Sequence, residues 1–202
     1  MPAKLQLMVI LGSTRPGRMG DRVAKFMLAQ LQSNEAFQVD YVDLAQIDLG
    51  FIKVPHHWMP AGTAPGNLEA LAKRVATADA YLFVSPEYNH SMSPVLVNFI
   101  DHFAPMSYSY KPSAIASYSI GAFGGANSAN QLRLLASQVG CHAIRTHLLA
   151  PQVQLSLDET GREIGATGKL LVDQASRLFI ELEWYARALK THRDQVSPPP
   201  QN

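Results

Sequence analysis

The stretch Leu5-Gln6-Leu7-Met8-Val9-Ile10-Leu11-Gly12-Ser13-Thr14-Arg15-Pro16-Gly17-Arg18-Met19-Gly20-Asp21 decides the fold. Leu5 to Leu11 is a nearly continuous apolar run, which is how a strand buried on both faces reads. Gly12 to Gly20 gathers Gly, Ser, Arg and Pro and reads as a loop. From Asp21 to Gln32, Val23, Phe26, Met27 and Leu31 fall on one helical face, with Asp21 favourably in the first turn. A strand, a glycine loop and a helix in this order place free backbone N–H groups and a helix dipole where an anion can sit.

The same alternation continues along the chain. Phe37 to Val42 alternates like a half-exposed strand, and Leu44 to Gly66, with its prolines and glycines, reads as a long loop. A helix is expected over Leu68–Ala76 and a buried strand over Ala80–Val84. Ser93-Pro94 opens a helix to about His102, with Ser93 as its cap. Ser113–Tyr118 is a strand, Ile120–Asn127 a glycine-bearing loop, Ser128–Val139 a helix and Ile144–Leu149 the last strand. Lys169 to Thr191 is the longest helix, and the chain from 193 to 202 reads as a disordered tail behind one domain over 1–192. Strictly alternating strands and helices imply a doubly wound α/β fold. A five-stranded parallel sheet in a three-layer α/β/α sandwich, with one nucleotide-sized site, suggests strand order 2-1-3-4-5.

In that order the switch point lies between strands 1 and 3, so the loops at Gly12–Gly20, Ser85–Met92 and Ser119–Asn127 converge on one crevice. Ser13 and Thr14 offer hydroxyls there, and Arg15 and Arg18 offer charge-assisted donors suited to phosphate. The loop lacks the Gly-Lys-Ser/Thr of a P-loop and the spacing of G-x-G-x-x-G, which favours a phosphomonoester over a dinucleotide pyrophosphate. Pro86-Glu87-Tyr88-Asn89 supplies the stacking surface and edge donors a flat heterocycle needs. Gly121, Gly124 and Gly125 allow close backbone approach.

Composition excludes several classes. Of 202 residues, 47% are hydrophobic and 16% charged, which rules out a disordered chain. A net charge of +1 gives no basic excess for nucleic acid. The single cysteine, Cys141, rules out an internal disulfide framework and a Cys-based zinc cluster, and His56-His57, His142 and His147 have no ligand spacing, so no metal is expected. No apolar run reaches the roughly 18–20 residues of a membrane span. With no leader pattern visible, the expected location is the cytoplasm. Nothing supports a cysteine nucleophile or a Ser-His-Asp hydrolase. His90, beside Asn89, reads as exposed or capping, and Trp58 as cofactor cover or interface packing.

Ser85-Pro-Glu-Tyr-Asn-His-Ser-Met-Ser-Pro-Val-Leu-Val-Asn-Phe-Ile-Asp-His102 resembles the Pro-Glu-Tyr-Asn segment of the NAD(P)H-dependent FMN reductases, relatives of quinone, azo and chromate reductases. Gly12-Ser13-Thr14-Arg15 is similar to their phosphate loop. Ala78-Asp79-Ala80, Lys111-Pro112, Gly121-Ala122-Phe123-Gly124-Gly125 and Gln131-Leu132-Arg133 follow in order, so the resemblance spans about residues 5–150. It implies a flavodoxin-like fold with bound FMN and a homodimer or homotetramer. Ser13, Thr14, Arg15, Arg18, Met19 and Gly20 would hold the phosphate, and Pro86, Glu87, Tyr88 and Asn89 would line the isoalloxazine. Ser117, Ser119, Gly124 and Gly125 would face its other side or pyrimidine edge. Many family members carry Ser and Asn where this chain has Arg18 and Gly20, and a Gly-Gly pair reads Gly121-Ala122 here. The implied activity takes hydride from NADPH or NADH and reduces a quinone, azo compound, metal oxyanion or free flavin by a ping-pong scheme, with no catalytic side chain, because the cofactor carries the chemistry. Two other readings are an electron carrier that binds FMN without NAD(P)H turnover and a flavin-free interaction protein. Such carriers are usually acidic, unlike this chain.

Overall fold

A computed structural model describes residues 3–199. The opening apolar run forms β1 (Leu5–Leu11), the second strand of a five-stranded sheet. Its neighbours are β2 (Phe37–Asp43) and β3 (Ala80–Pro86), and β4 (Pro112–Tyr118) and β5 (His142–Ala150) follow. All pairs are parallel and the order is β2-β1-β3-β4-β5.

The pleat divides the apolar residues between two cores. Leu5, Leu7, Val9 and Leu11 of β1, with Leu82, Val84, Ala116 and Tyr118, pack against α1 (Gly20–Gln32) and α7 (Gly165–Gln195). Met8 and Ile10, with Tyr81, Phe83 and Ile115, pack against α2 (Gly66–Thr77), α3 (Pro94–Asp101) and α5 (Ala126–Gln138). That is why β1 reads as a continuous apolar run: both of its faces are covered. Each fully buried leucine in these cores contributes about 1.5–3 kcal/mol. The edge strand β5 is blunted from α7, whose Glu181 accepts the Arg145 and Thr146 N–H groups at 2.9 and 3.0 Å.

Several boundaries differ from expectation. The 44–66 segment contains two short 3₁₀ turns, Leu44–Gln46 and His56–Trp58. Two single-turn helices, α4 (Pro105–Tyr108) and α6 (Val153–Ser156), fall where loops were expected. Pro94 opens α3 and Ser93 occupies its N-cap position with extended backbone, but its side chain makes no cap bond. Its buried hydroxyl has no partner among the described residues, and the Ser93 N–H donates to Ser85 Oγ at 3.3 Å. The last helix runs to Gln195, past the expected start of the tail at 193. Arg193 is held there by the Tyr110 carbonyl and faces Asp79 at 3.6 Å, so tertiary contacts extend the helix beyond its apolar stripe. Residues 200–202 of the expected tail lie outside the described residues.

Candidate functional site

Parallel strands deliver their loops to one end of the sheet, and the chains leaving β1, β3 and β4 meet there around a cavity of about 330 Å³. It is lined by Arg15 to Met19 from the first loop, Pro86 to Tyr88 from the second and Tyr118 to Ile120 from the third.

The first loop turns tightly because Gly12 lies against α3. Its N–H donates to the Val84 carbonyl at 2.8 Å, and a Cβ there would stand 2.8 Å from Leu96 Cβ. Ser13 is buried, with its hydroxyl 3.0 Å from the Tyr88 hydroxyl. Gly17 has φ +67°, a left-handed conformation that favours glycine.

The two arginines diverge. The Arg15 guanidinium lies over the Tyr88 ring, 3.6 Å from its centroid, and among the described residues it makes no ion pair. Arg18, expected to be a phosphate donor, borders the cavity but is engaged elsewhere. It bonds Asp43 through both carboxylate oxygens at 2.7 and 2.6 Å, reaches Asp21 at 2.8 Å, and donates to the Ser13 carbonyl. Burial alone would raise the Asp43 carboxyl, but the hydrogen bonds from Arg18 and the Ala45 N–H outweigh it and hold it below its ordinary value. Arg18 therefore braces the loop, and among the described residues Arg15 makes no ion pair.

Met19 precedes α1 without a side-chain cap bond; the Arg22 N–H bonds the Met19 carbonyl at 3.1 Å, and the Gly20 and Asp21 N–H groups lie ahead of the helical ladder. Gly20 has a steric reason of its own: a Cβ there would stand 2.4 Å from the Tyr118 hydroxyl. Tyr118 was not singled out in the sequence. It is buried, lines the cavity, and its hydroxyl has no partner. Burial pushes its pKa up, so it stays a neutral donor. Its only sequence signal is its place as the last residue of β4, and Ile120 was likewise missed.

Pro86 ends β3 and pairs with Tyr118, while the Glu87 N–H donates to the Tyr118 carbonyl at 3.0 Å. Glu87 borders the cavity, but both carboxylate oxygens are taken by Asn127 at the start of α5. Asn89 is exposed on the turn beyond Tyr88. Thr14 lines a neighbouring cavity of about 380 Å³ with Leu44, Phe51 and Val95. Ser119 lines the main cavity and donates its hydroxyl to the Gly121 carbonyl at 3.1 Å. Ser117 is buried beneath Gly125, whose Cβ would meet Ser117 Cβ at 2.7 Å. Gly124 sits as tightly against the backbone of Pro151, at 2.9 Å. These three residues shape the floor and do not line the cavity. Among the described residues, no group of three or more His, Cys, Asp or Glu side chains could hold a metal ion.

A phosphorylated planar ligand fits this arrangement. An arginine that makes no ion pair among the described residues and the buried Tyr118 hydroxyl line a cleft walled by Pro86 and Tyr88, and Met19, the residue before α1, borders it.

Comparison with known proteins agrees with the geometry. Residues 5–154 match the model of the NADPH-dependent FMN reductase family. The chain is 31% identical to an NADPH:quinone oxidoreductase of Arabidopsis thaliana over 148 residues, covering 72% of this chain and 70% of the relative. It is 35% identical to an NAD(P)H-dependent FMN reductase of Pseudomonas aeruginosa over 118 residues, covering 57% and 60%. In structure it resembles the flavoenzyme NAD(P)H:(acceptor) oxidoreductase of Paracoccus denitrificans with a TM-score of 0.69, at 21% identity, covering 90% of this chain and 98% of the other. That last likeness concerns the fold.

Proposed function

Since this chain belongs to the NADPH-dependent FMN reductase family, we propose that it is an FMN-dependent oxidoreductase that takes hydride from NADPH or NADH and reduces a small acceptor of the quinone class. Azo compounds, metal oxyanions and free flavin are further acceptors to assay. The single observation that carries the reading is the ion-pair-free Arg15 against Tyr88, in a crevice at the switch point of the sheet.

Arg15 and the uncapped N–H groups of α1 would hold the FMN phosphate, with Ser13 beside them. Pro86 and Tyr88 would wall the ring, and the Tyr118 hydroxyl is a donor that burial keeps protonated. When bound, FMN would supply the redox chemistry between nicotinamide and acceptor. The protein's part is to bind, orient and keep the loops in shape, with Arg18 and Asp43 bracing the first loop. One open crevice serving donor and acceptor in turn gives ping-pong kinetics.

A homodimer or homotetramer and a cytoplasmic place complete the reading. The oligomer is supported by Phe51 and Trp58, which are 88% and 73% exposed on the 44–66 segment. That segment is tied to α3, where Asn98 accepts from the Ile52 N–H and donates to the Gly50 carbonyl. Among the described residues no helix is long and apolar enough to cross a membrane.

The test is a visible spectrum of the FMN-loaded protein under anaerobic conditions, before and after NADPH and then NADH. Bleaching by either donor is expected and names it. Bound flavin that neither donor bleaches would favour the electron carrier.

A further inference from the structure

We propose that Glu87 is a positioning residue: from the crevice loop it caps α5, and so fixes the Tyr88–Ser91 turn as the wall on which the flavin rests. The inference builds on the proposed function and assigns Glu87 no contact with the cofactor.

The need for such a cap begins at Gly125. This residue precedes α5 with φ 86°, and a Cβ on it would stand 2.7 Å from both Ser117 Cβ and the Tyr118 nitrogen. Close approach to β4 therefore demands glycine, and glycine has no side chain with which to cap the helix. The orphan N–H groups of the first turn must find an acceptor elsewhere. Glu87 supplies it from across the crevice loop. Its side chain is only 10% exposed, and its carboxylate accepts from the Asn127 N–H at 2.9 Å and Asn127 Nδ2 at 3.1 Å, with the Ser128 N–H at 3.4 Å. A negative charge at a helix N-terminus is also favoured by the dipole.

The turn that follows needs holding. Asn89 and His90 both have positive φ, 52° and 59°, a conformation that costs a non-glycine residue free energy. The turn closes on itself through Tyr88 N–H to the Ser91 carbonyl at 3.0 Å and Ser91 N–H to the Tyr88 carbonyl at 2.9 Å. The α5 face then grips its far side. Gln131 Nε2 donates to the His90 carbonyl at 2.9 Å, and Ser91 Oγ donates to Gln131 Oε1 at 2.8 Å. Asn127 Nδ2 also stands 2.9 Å from His90 Nδ1, which itself lies 3.4 Å from the Glu87 carboxylate. Asn127 and Gln131 are one helical turn apart, so a single helix face clamps both ends of the loop. Tyr88, which carries the Arg15 stack and the bond to Ser13, lies between the two clamped ends.

The test uses the full chain with FMN as probe, comparing Glu87→Ala, Glu87→Gln and the parent protein. Glu87→Ala is expected to weaken FMN binding roughly tenfold or more and to shift the visible band of the bound flavin. Glu87→Gln, which keeps an acceptor for the Asn127 N–H, should recover most of both. A purely structural cap would lower the melting temperature without moving the band. Unchanged affinity and band in Glu87→Ala would overturn the proposal. Should Glu87→Ala not fold, Gln131→Leu loosens only the far end of the turn. Weaker FMN binding in that variant supports the clamp, and parental binding overturns it. If the parent protein itself binds no FMN, the functional reading fails. The clamp is then judged by amide exchange at residues 88–91 of the free protein. Faster exchange in Glu87→Ala sustains it, and unchanged exchange overturns it.

Discussion

The two ends of the sheet handle buried polarity in opposite ways. At the amino end, Asp79 accepts from the Gln6 N–H at 2.9 Å and from Lys190 at 2.8 Å, with Arg193 at 3.6 Å. Beside it, Lys111 donates to the Ala76 and Ser107 carbonyls at 2.6 and 2.7 Å. Each charge in that cluster has a protein partner. At the carboxyl end, Arg18 is equally well paired, but among the described residues Arg15 makes no ion pair and lies on the Tyr88 ring, and the Tyr118 hydroxyl makes no hydrogen bond. Orphaned hydroxyls alone do not mark a site, since Tyr108 and Ser113 at the amino end are orphaned too. The difference is that Tyr118 shares its cavity with a cation that lacks a counter-charge. A paired end serves stability, whereas a cation without a counter-charge is what the proposed phosphate site needs.

Asp79→Ala should separate the two ends with the largest effect. It strips the acceptor from Gln6, Lys190 and Arg193 and leaves like charges facing one another near Lys111. Because Lys190 is partly exposed, the cost should fall below that of a fully buried pair, at about 2–3 kcal/mol in urea unfolding. FMN affinity should stay at the parental value.

Arg15→Ala should do the reverse. Loss of one charge-assisted phosphate contact, worth roughly 1.5–3 kcal/mol, predicts FMN binding weakened by one to two orders of magnitude. The unfolding midpoint should not change. A fall in stability would mean that Arg15 is a structural residue like Arg18.

Arg18→Ala lies between these two. It leaves the Asp43 carboxylate with only the Ala45 N–H and strips the side-chain donor from the Ser13 carbonyl, so stability should drop by about 1–2 kcal/mol in denaturant titrations. FMN binding should weaken less than in Arg15→Ala, because only the loop's shape is disturbed. A larger loss of FMN than in Arg15→Ala would reverse the roles given to the two arginines.

These assignments show what was legible in the sequence. Leu5–Leu11, the glycine loop and Pro86–Asn89 announced themselves because their signals are local: apolar continuity, turn residues and helix starts. Alternation pointed to a parallel sheet, and five strands with one nucleotide-sized site suggested its order. The partner of Arg18 is Asp43, at the end of the neighbouring strand, and that of Glu87 is Asn127, at the start of a distant helix. Neither pairing has a local signature, so Arg18 read as a phosphate donor and Glu87 as a flavin contact. Tyr118 read as one more apolar strand residue. The missing side chain of Gly20 makes room for the Tyr118 hydroxyl, a contact with no local signature.

Alkaline titration gives the smallest effect and sharpens the account of the interior. Burial pushes the Cys141 thiol from 9.0 up to about 12 and holds the Tyr81 and Tyr108 hydroxyls well above 10.0. These groups ionise first in the unfolded chain, so their contribution is intact below about pH 9 and is lost as pH rises beyond it. Lys111 acts with the opposite sign. Burial lowers it from 10.5 to about 8, so between those values the unfolded chain binds more protons and stability rises with pH. Melting temperature should therefore climb slightly above pH 8 and fall above about pH 10. Lys111→Met should remove the climb and keep the fall.

Under the proposed function, the end of the sheet that holds Arg15 binds a phosphate carried by a flavin. The most direct test compares the affinities of FMN and riboflavin, which differ only in the phosphate, for the parent protein and for Arg15→Ala. The parent should bind FMN tighter than riboflavin by one to two orders of magnitude or more, and most of this preference should disappear in Arg15→Ala. Equal affinity for FMN and riboflavin in the parent protein, or a preference that survives intact in Arg15→Ala, would contradict it.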